Sequence, residues 1–244
     1  MPGFDRVAHV YDATRSLRAD VMSGVVAGLV EYLGSSSVVD FGVGTGRFAA
    51  PLARAGVEVV GLDVSPAMIR QALGKGLANL VLAAAESVPF RRGSFDYALA
   101  VHFMHLVDDW RATLEEVARV ARKGLLTLVG DLEESHPRDL YIQLREKKGF
   151  DMRGLKLGER EIIRMVTPSL TRRLVEYMEV FDPAELCEEY SAKLHSVTWD
   201  MPDDVNAQIV DEMRSSLGER RELLRSLYLV GWDHRQLRGI DPSA

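Results

Sequence analysis

The 244-residue sequence predicts an α/β fold built on a doubly wound, mostly parallel sheet, and three observations carry that prediction. From residue 37 to 130, short β-branched runs alternate with single helical stretches, the pattern of successive βαβ units with helices on both faces. A glycine-rich loop, Gly42-Val43-Gly44-Thr45-Gly46, directly follows the first of those runs and opens a helix. After Asp131 the alternation stops, and residues 134–190 read as mostly helical pieces. The expected organisation is a doubly wound core over 1–133, a helical cap insertion over 134–190, and residues 191–244 completing the sheet with helices.

Taken in order, Leu17, Val21, Val25, Leu29 and Leu33 recur every four residues, the apolar stripe of an amphipathic helix over 16–33 that Gly34 stops. Residues 37–41 read as a short buried strand. A helical stretch then runs to Ala55, and Pro51 inside it predicts a short or bent helix. Residues 57–62 form a second strand ending at Asp63. Ser65-Pro66 supplies an N-cap and a first-turn proline for a helix to about Lys75. Strands three, four and five are expected over 80–84, 95–101 and 125–130, with a helix over 110–122. Beyond them, Gly149, Gly154, Gly158, Pro168 and Pro183 punctuate the helical pieces. Residues 193–199 alternate apolar and polar and are a candidate strand; 203–225 read as helix, and 226–232 fit either helix or strand.

Composition excludes several function classes. With 47% hydrophobic and 27% charged residues, the chain is of ordinary globular type. The net charge of −6, with no basic surplus in either half, speaks against nucleic acid as a partner. Cys187 is the single cysteine, so neither an internal disulfide nor a cysteine-based metal cluster is expected. No apolar leader follows Met1, and no apolar run reaches the roughly 20 residues a membrane span needs. A cytoplasmic protein is expected. The sequence is silent on oligomeric state.

The chemistry is concentrated at the glycine loop. Glycines at 42, 44 and 46 let the backbone turn tightly into a helix and let a ligand approach the main chain closely. Gly44-x-Gly46-x-x-Ala49 also satisfies the dinucleotide fingerprint, so the loop alone leaves an NAD-type ligand open. Asp63, at the end of the second strand, would lie at the carboxyl edge of such a sheet, where it can accept hydrogen bonds from ribose hydroxyls. Asp40, two residues before Gly42, suits a cationic ligand better than a pyrophosphate.

At these residues the sequence resembles a known family. Val38 to Gly46, Gly61-Leu62-Asp63-Val64-Ser65-Pro66-Ala67-Met68 and Ser94-Phe95-Asp96-Tyr97 look like three successive motifs of the class I S-adenosylmethionine (SAM)-dependent methyltransferases. The likeness is to the group related to ubiquinone- and menaquinone-biosynthesis methyltransferases. Phe4 to Asp12 and Ala85-Glu86-Ser87-Val88-Pro89-Phe90 add to it, so the resemblance covers residues 4–132. It implies a Rossmann-like seven-stranded sheet, SAM as cofactor and a small-molecule methyl acceptor. It also implies roles: Gly42, Gly44 and Gly46 under the methionine and ribose, Asp40 toward the amino group, Asp63 on the ribose hydroxyls, and Val64 and Met68 flanking the adenine. Ala85 and Glu86 would lie at the adenine edge and His102 near the sulfonium, with Tyr11 and Arg15 closing over the methionine end.

The sequence departs from the family at Ala84, where an aspartate usually accepts the adenine amine. Of the two antiparallel strands that end the family's sheet, the C-terminal third offers one clear candidate. Two other readings stay open: an NAD(P)-dependent oxidoreductase using the same loop, and a SAM-binding relative without transferase activity. No catalytic residue is assigned, although His102 and Tyr11 are the ionisable groups best placed for a base. His105 is expected to make a structural hydrogen bond, Arg172-Arg173 to lie on a solvated helix face, and Trp110, Trp199 and Trp232 to pack. Met152, Met165 and Met178 are expected either in the core or lining a substrate cavity.

Overall fold

The computed structural model describes residues 2–15, 17–131, 137–150 and 158–238. They divide into two compact units: Met1–Gly130 with Lys156–Val175 and Leu227–Ala244, and Asp131–Leu155 with Glu176–Ser226.

The first unit runs α1 (Pro2–Val7), α2 (Tyr11–Arg15), α3 (Ala19–Leu33), β1 (Val38–Phe41), α4 (Ala49–Arg54), β2 (Val59–Asp63), α5 (Pro66–Gly74), β3 (Leu80–Leu82), β4 (Phe95–Leu99), α6 (Trp110–Val120) and β5 (Ala121–Gly130). After α7 (Asp139–Lys147) of the second unit, α8 (Glu159–Met165) returns to the first. Strands β6 (Leu170–Phe181) and β7 (Arg221–Asp233) contribute residues to both units. Between them in sequence lie α9 (Pro183–Ser191) and α10 (Asp203–Ser216) of the second unit, and α11 (His234–Arg238) closes the first.

The seven-stranded sheet has the order β3-β2-β1-β4-β5-β7-β6. Strands β1 to β5 pair in parallel, and β7 runs antiparallel to β5 from Gly124↔Asp233 to Gly130↔Leu227. The expected doubly wound α/β fold is therefore the observed one. The order reverses between β1 and β4, and in open α/β sheets the crevice at that reversal is where ligands bind. The core of this unit packs Val25, Leu29 and Leu33 of α3 against Val38, Val59, Leu99 and Leu126 of the sheet.

Local chemistry explains the boundaries. Pro51 is tolerated because it is the third residue of the six-residue α4, where the backbone N–H has no intrahelical acceptor. Ser65 caps α5, its hydroxyl accepting from Met68 N at 3.1 Å. Helix α6 passes into β5 without a loop, so the fifth strand starts at Ala121 rather than 125.

The second unit has its own core. Tyr141 of α7 packs with Leu186, Cys187 and Tyr190 of α9 and with Ile209, Val210 and Met213 of α10. Tyr141 donates to Asn206 Oδ1 at 2.6 Å, and Asn206 Nδ2 donates to the Tyr190 carbonyl at 3.1 Å. Arg145, 3% exposed, makes a bidentate pair with Asp200 at 2.7 and 2.6 Å.

Several expectations are corrected. Residues 170–181, expected as helix, form strand β6, whose mixed burial follows the two-residue period of a strand. Arg172 lies on this strand and pairs with Glu31 at 2.7 Å, so it is not on a helix face. Residues 193–199 are not a strand: Lys193 has a φ of +52°, and a 3-10 turn covers Ser196–Thr198. Helix α10 stops at Ser216 rather than 225, and Gly218 (φ +72°) turns the chain into β7, which absorbs the ambiguous 226–232. Met165 and Met178 are 36% and 41% exposed, so neither is in a core. Met152 and Gly154 lie outside the described residues.

Candidate functional site

Parallel pairing in register brings the carboxyl ends of β1 and β2 side by side: Phe41 is the partner of Leu62, so Gly42 and Asp63 follow at the same edge. A cavity of about 220 Å³ opens there in the first unit. Nine of the residues singled out from sequence lie on its wall: Tyr11, Gly42, Gly44, Asp63, Val64, Met68, Ala85, Glu86 and His102. Arg15, Asp40 and Gly46 do not.

Asp63 ties the floor together. One carboxylate oxygen accepts from Gly44 N at 2.9 Å and the other from Ser65 N at 2.8 Å. Burial raises its pKa above the usual carboxylate range, against the opposing pull of these backbone donors. Asp40 is 4% exposed beneath the cavity. Burial, with the Asp63 charge beside it, pushes its carboxyl up to about 8.

The three loop glycines have positive φ, but their missing side chains face different surroundings. A Cβ at Gly42 would meet the Phe103 ring at 2.0 Å, and one at Gly46 would meet the Ala72 Cβ of α5 at 3.2 Å. At Gly44 it would meet only the Gly42 carbonyl, at 3.9 Å. Gly42 and Gly46 are thus needed for packing, and Gly44 alone leaves its space to the cavity.

The segment after β4 forms the opposite wall. His102 has a φ of +53°, a left-handed conformation costly for a side-chain-bearing residue. The following N–H groups are anchored by Glu159 Oε1, which accepts from Phe103 at 2.8 Å and Met104 at 3.4 Å. Glu159 also stands 3.9 Å from His105 Nδ1, which gives that histidine a structural neighbour. Although His102 is exposed on the cavity wall, desolvation by the surrounding protein lowers its imidazole pKa to about 4, against the pull of Glu159.

Phe4, Phe103, Leu106 and Val107 also line the cavity and were not among the sequence candidates. Phe4 sits inside the N-terminal motif that carries the resemblance, which could have flagged it. Nothing in the sequence marks Phe103, because its approach to Gly42 is a tertiary contact. Phe4 and Tyr11 meet edge to face, centroids 6.4 Å apart, and the Arg15 guanidinium stacks 4.5 Å from the centre of the Tyr11 ring.

Comparison with known proteins bears on this arrangement. Residues 39–128 match the family described as Methyltransferase domain. The chain is 30% identical over 193 residues to an uncharacterized methyltransferase of Mycobacterium bovis, covering 78% of this chain and 76% of that protein. It is 34% identical over 149 residues to a demethylmenaquinone methyltransferase of Tropheryma whipplei, covering 55% of this chain and 59% of the relative. Among solved structures it resembles a SAM-dependent methyltransferase, possible histamine N-methyltransferase, of Thermotoga maritima. That match has a TM-score of 0.54 at 19% identity and covers 93% of this chain and 97% of the other.

Proposed function

The chain belongs to the class I SAM-dependent methyltransferases, and we propose that it methylates a small-molecule acceptor with an apolar face, held on the His102 side of the cavity. The observation that carries the proposal is the character of that side, where Phe103, Leu106 and Val107 line the cavity beside His102. Family membership removes the dinucleotide oxidoreductase from consideration. Among the described residues no helix is long and apolar enough to cross a membrane.

The floor fits the cofactor. Gly44 leaves main chain accessible to a ligand, and Asp63 offers a carboxylate beside it whose oxygens have further lone pairs for ribose hydroxyls. In the proposed arrangement Val64 and Met68 flank the adenine, and Ala85 and Glu86 meet its edge. Asp40, buried and off the cavity wall, reaches the amino end through an intervening water, and Tyr11, backed by Arg15, covers the methionine. When bound, SAM supplies a methyl group already activated by its sulfonium charge. The protein's task is then to hold donor and acceptor in line at near-attack distance. His102, whose imidazole pKa is lowered, can in its neutral form accept a hydrogen bond from a hydroxyl or amine acceptor and orient its lone pair.

The test is to incubate the protein with methyl-labelled SAM and a whole-cell extract, with the extract alone as control, and to search by mass spectrometry for labelled products that depend on the protein. Label in a compound with an apolar portion is expected. Label found only in protein or nucleic acid would refute the small-molecule assignment.

A further inference from the structure

The N-terminal helices are fastened to the cavity floor by two carboxylates. In α2, Asp12 Oδ1 accepts from the Thr45 hydroxyl at 2.6 Å, and its other oxygen pairs with Lys75 just past α5. In α1, Asp5 Oδ1 accepts from the Ser65 hydroxyl at 2.5 Å and from Ala67 N at 3.4 Å. Arg47 closes a third point by donating to the Arg15 carbonyl.

The attachment points matter. Thr45, 1% exposed, follows Gly44, the loop glycine that faces the open cavity. Ser65 donates its N–H to Asp63, and its hydroxyl caps α5. Each latch therefore ends within two residues of a floor residue. Each also sits next to an aromatic ring of the wall, Asp5 beside Phe4 and Asp12 beside Tyr11. Helices of six and five residues have little stability of their own, so contacts with the rest of the fold hold them in place.

We propose that Asp5 and Asp12 are positioning residues for cofactor retention, latching residues 2–15 to the cavity floor so that Phe4 and Tyr11 cover the bound cofactor. Opening of this latch sets the rate at which SAM enters and S-adenosylhomocysteine leaves. The inference rests on the cofactor placement proposed above and adds to it a named exit step. Loops and lids that must open for product release commonly limit turnover, and here the opening is resisted by two charged hydrogen bonds.

The experiment measures dissociation of radiolabelled S-adenosylhomocysteine from the full chain by dilution into excess unlabelled ligand. Loss of a charged hydrogen bond, discounted for the exposure of both carboxylates, predicts release faster by roughly 2- to 5-fold in Asp12→Ala and in Asp5→Ala. Thr45→Val, which removes the donor at nearly constant volume but keeps the Asp12–Lys75 pair, should speed release less than Asp12→Ala, and the Asp12→Ala/Thr45→Val double variant should be no faster than Asp12→Ala alone. Asp12→Asn, which keeps an acceptor for Thr45 but loses the charge facing Lys75, should fall between. A purely structural role would lower thermal stability and leave these rates alone. Unchanged release in folded variants would overturn the latch and leave the cofactor site standing; failure of the wild type to bind either nucleoside would overturn both.

Discussion

The ring of Phe103 occupies the space a side chain at residue 42 would need: a Cβ there would lie 2.0 Å from Phe103 Cδ2. The first glycine of the loop is therefore held by a residue of the opposite wall, 61 positions later in the sequence. This contact separates the roles of the three loop glycines and makes them testable.

Gly44→Val should abolish SAM binding, because the added side chain enters open cavity; its φ of +57° adds the backbone strain that a substitution at any of the three glycines would carry. Gly42→Ala should instead lower thermal stability, since Phe103 must move, and disturb binding only through that movement. Calorimetry and melting curves on both variants check the distinction. Normal SAM binding by Gly44→Val would reduce the loop to a structural turn.

Replacing Asp63 with alanine removes a charged acceptor and the link between Gly44 and Ser65. SAM affinity should fall by about 1.5–3 kcal/mol, roughly 10- to 150-fold. Unchanged affinity in a folded variant would take Asp63 out of the site.

Asp40 predicts a pH dependence of stability. Its folded pKa of about 8 stands above the ordinary 3.8, so the folded protein keeps a proton that the unfolded chain has released. Stability from this group is thus lost as pH rises from about 4 to about 8. Asp40→Asn should melt above wild type at pH 8 by at least about 4 °C, and the gap should shrink as pH falls toward 4. A gap that does not change with pH would mean the carboxyl is already ionised when folded.

In the second unit, Tyr141→Phe deletes the hydroxyl that donates to Asn206 Oδ1 and strands that buried acceptor. The expected cost is about 1–3 kcal/mol, read by denaturant unfolding. A loss well below that range would show that Asn206 finds another donor.

The sequence by itself determined the strand–helix alternation, the glycine loop, and the placement of Asp63 and Ser65 at the end of β2. These rest on local rules of periodicity, caps and turns, which short stretches of chain obey alone. For the same reason eight of the twelve candidate residues reached one cavity: they end or follow strands that parallel pairing must bring to one edge, and Tyr11 of α2 joins them there. Local rules did not decide β6. Its alternation is blurred because it carries mixed side chains, and only its place in the sheet beside β7 makes it a strand. Nor could they separate Gly42 and Gly46 from Gly44, or put Asp40 beneath the floor rather than on it. Those outcomes depend on which distant side chains arrive opposite, Phe103 over Gly42 and Ala72 against Gly46, and on the desolvation that follows. Packing between segments far apart in the chain is fixed only when the whole unit closes.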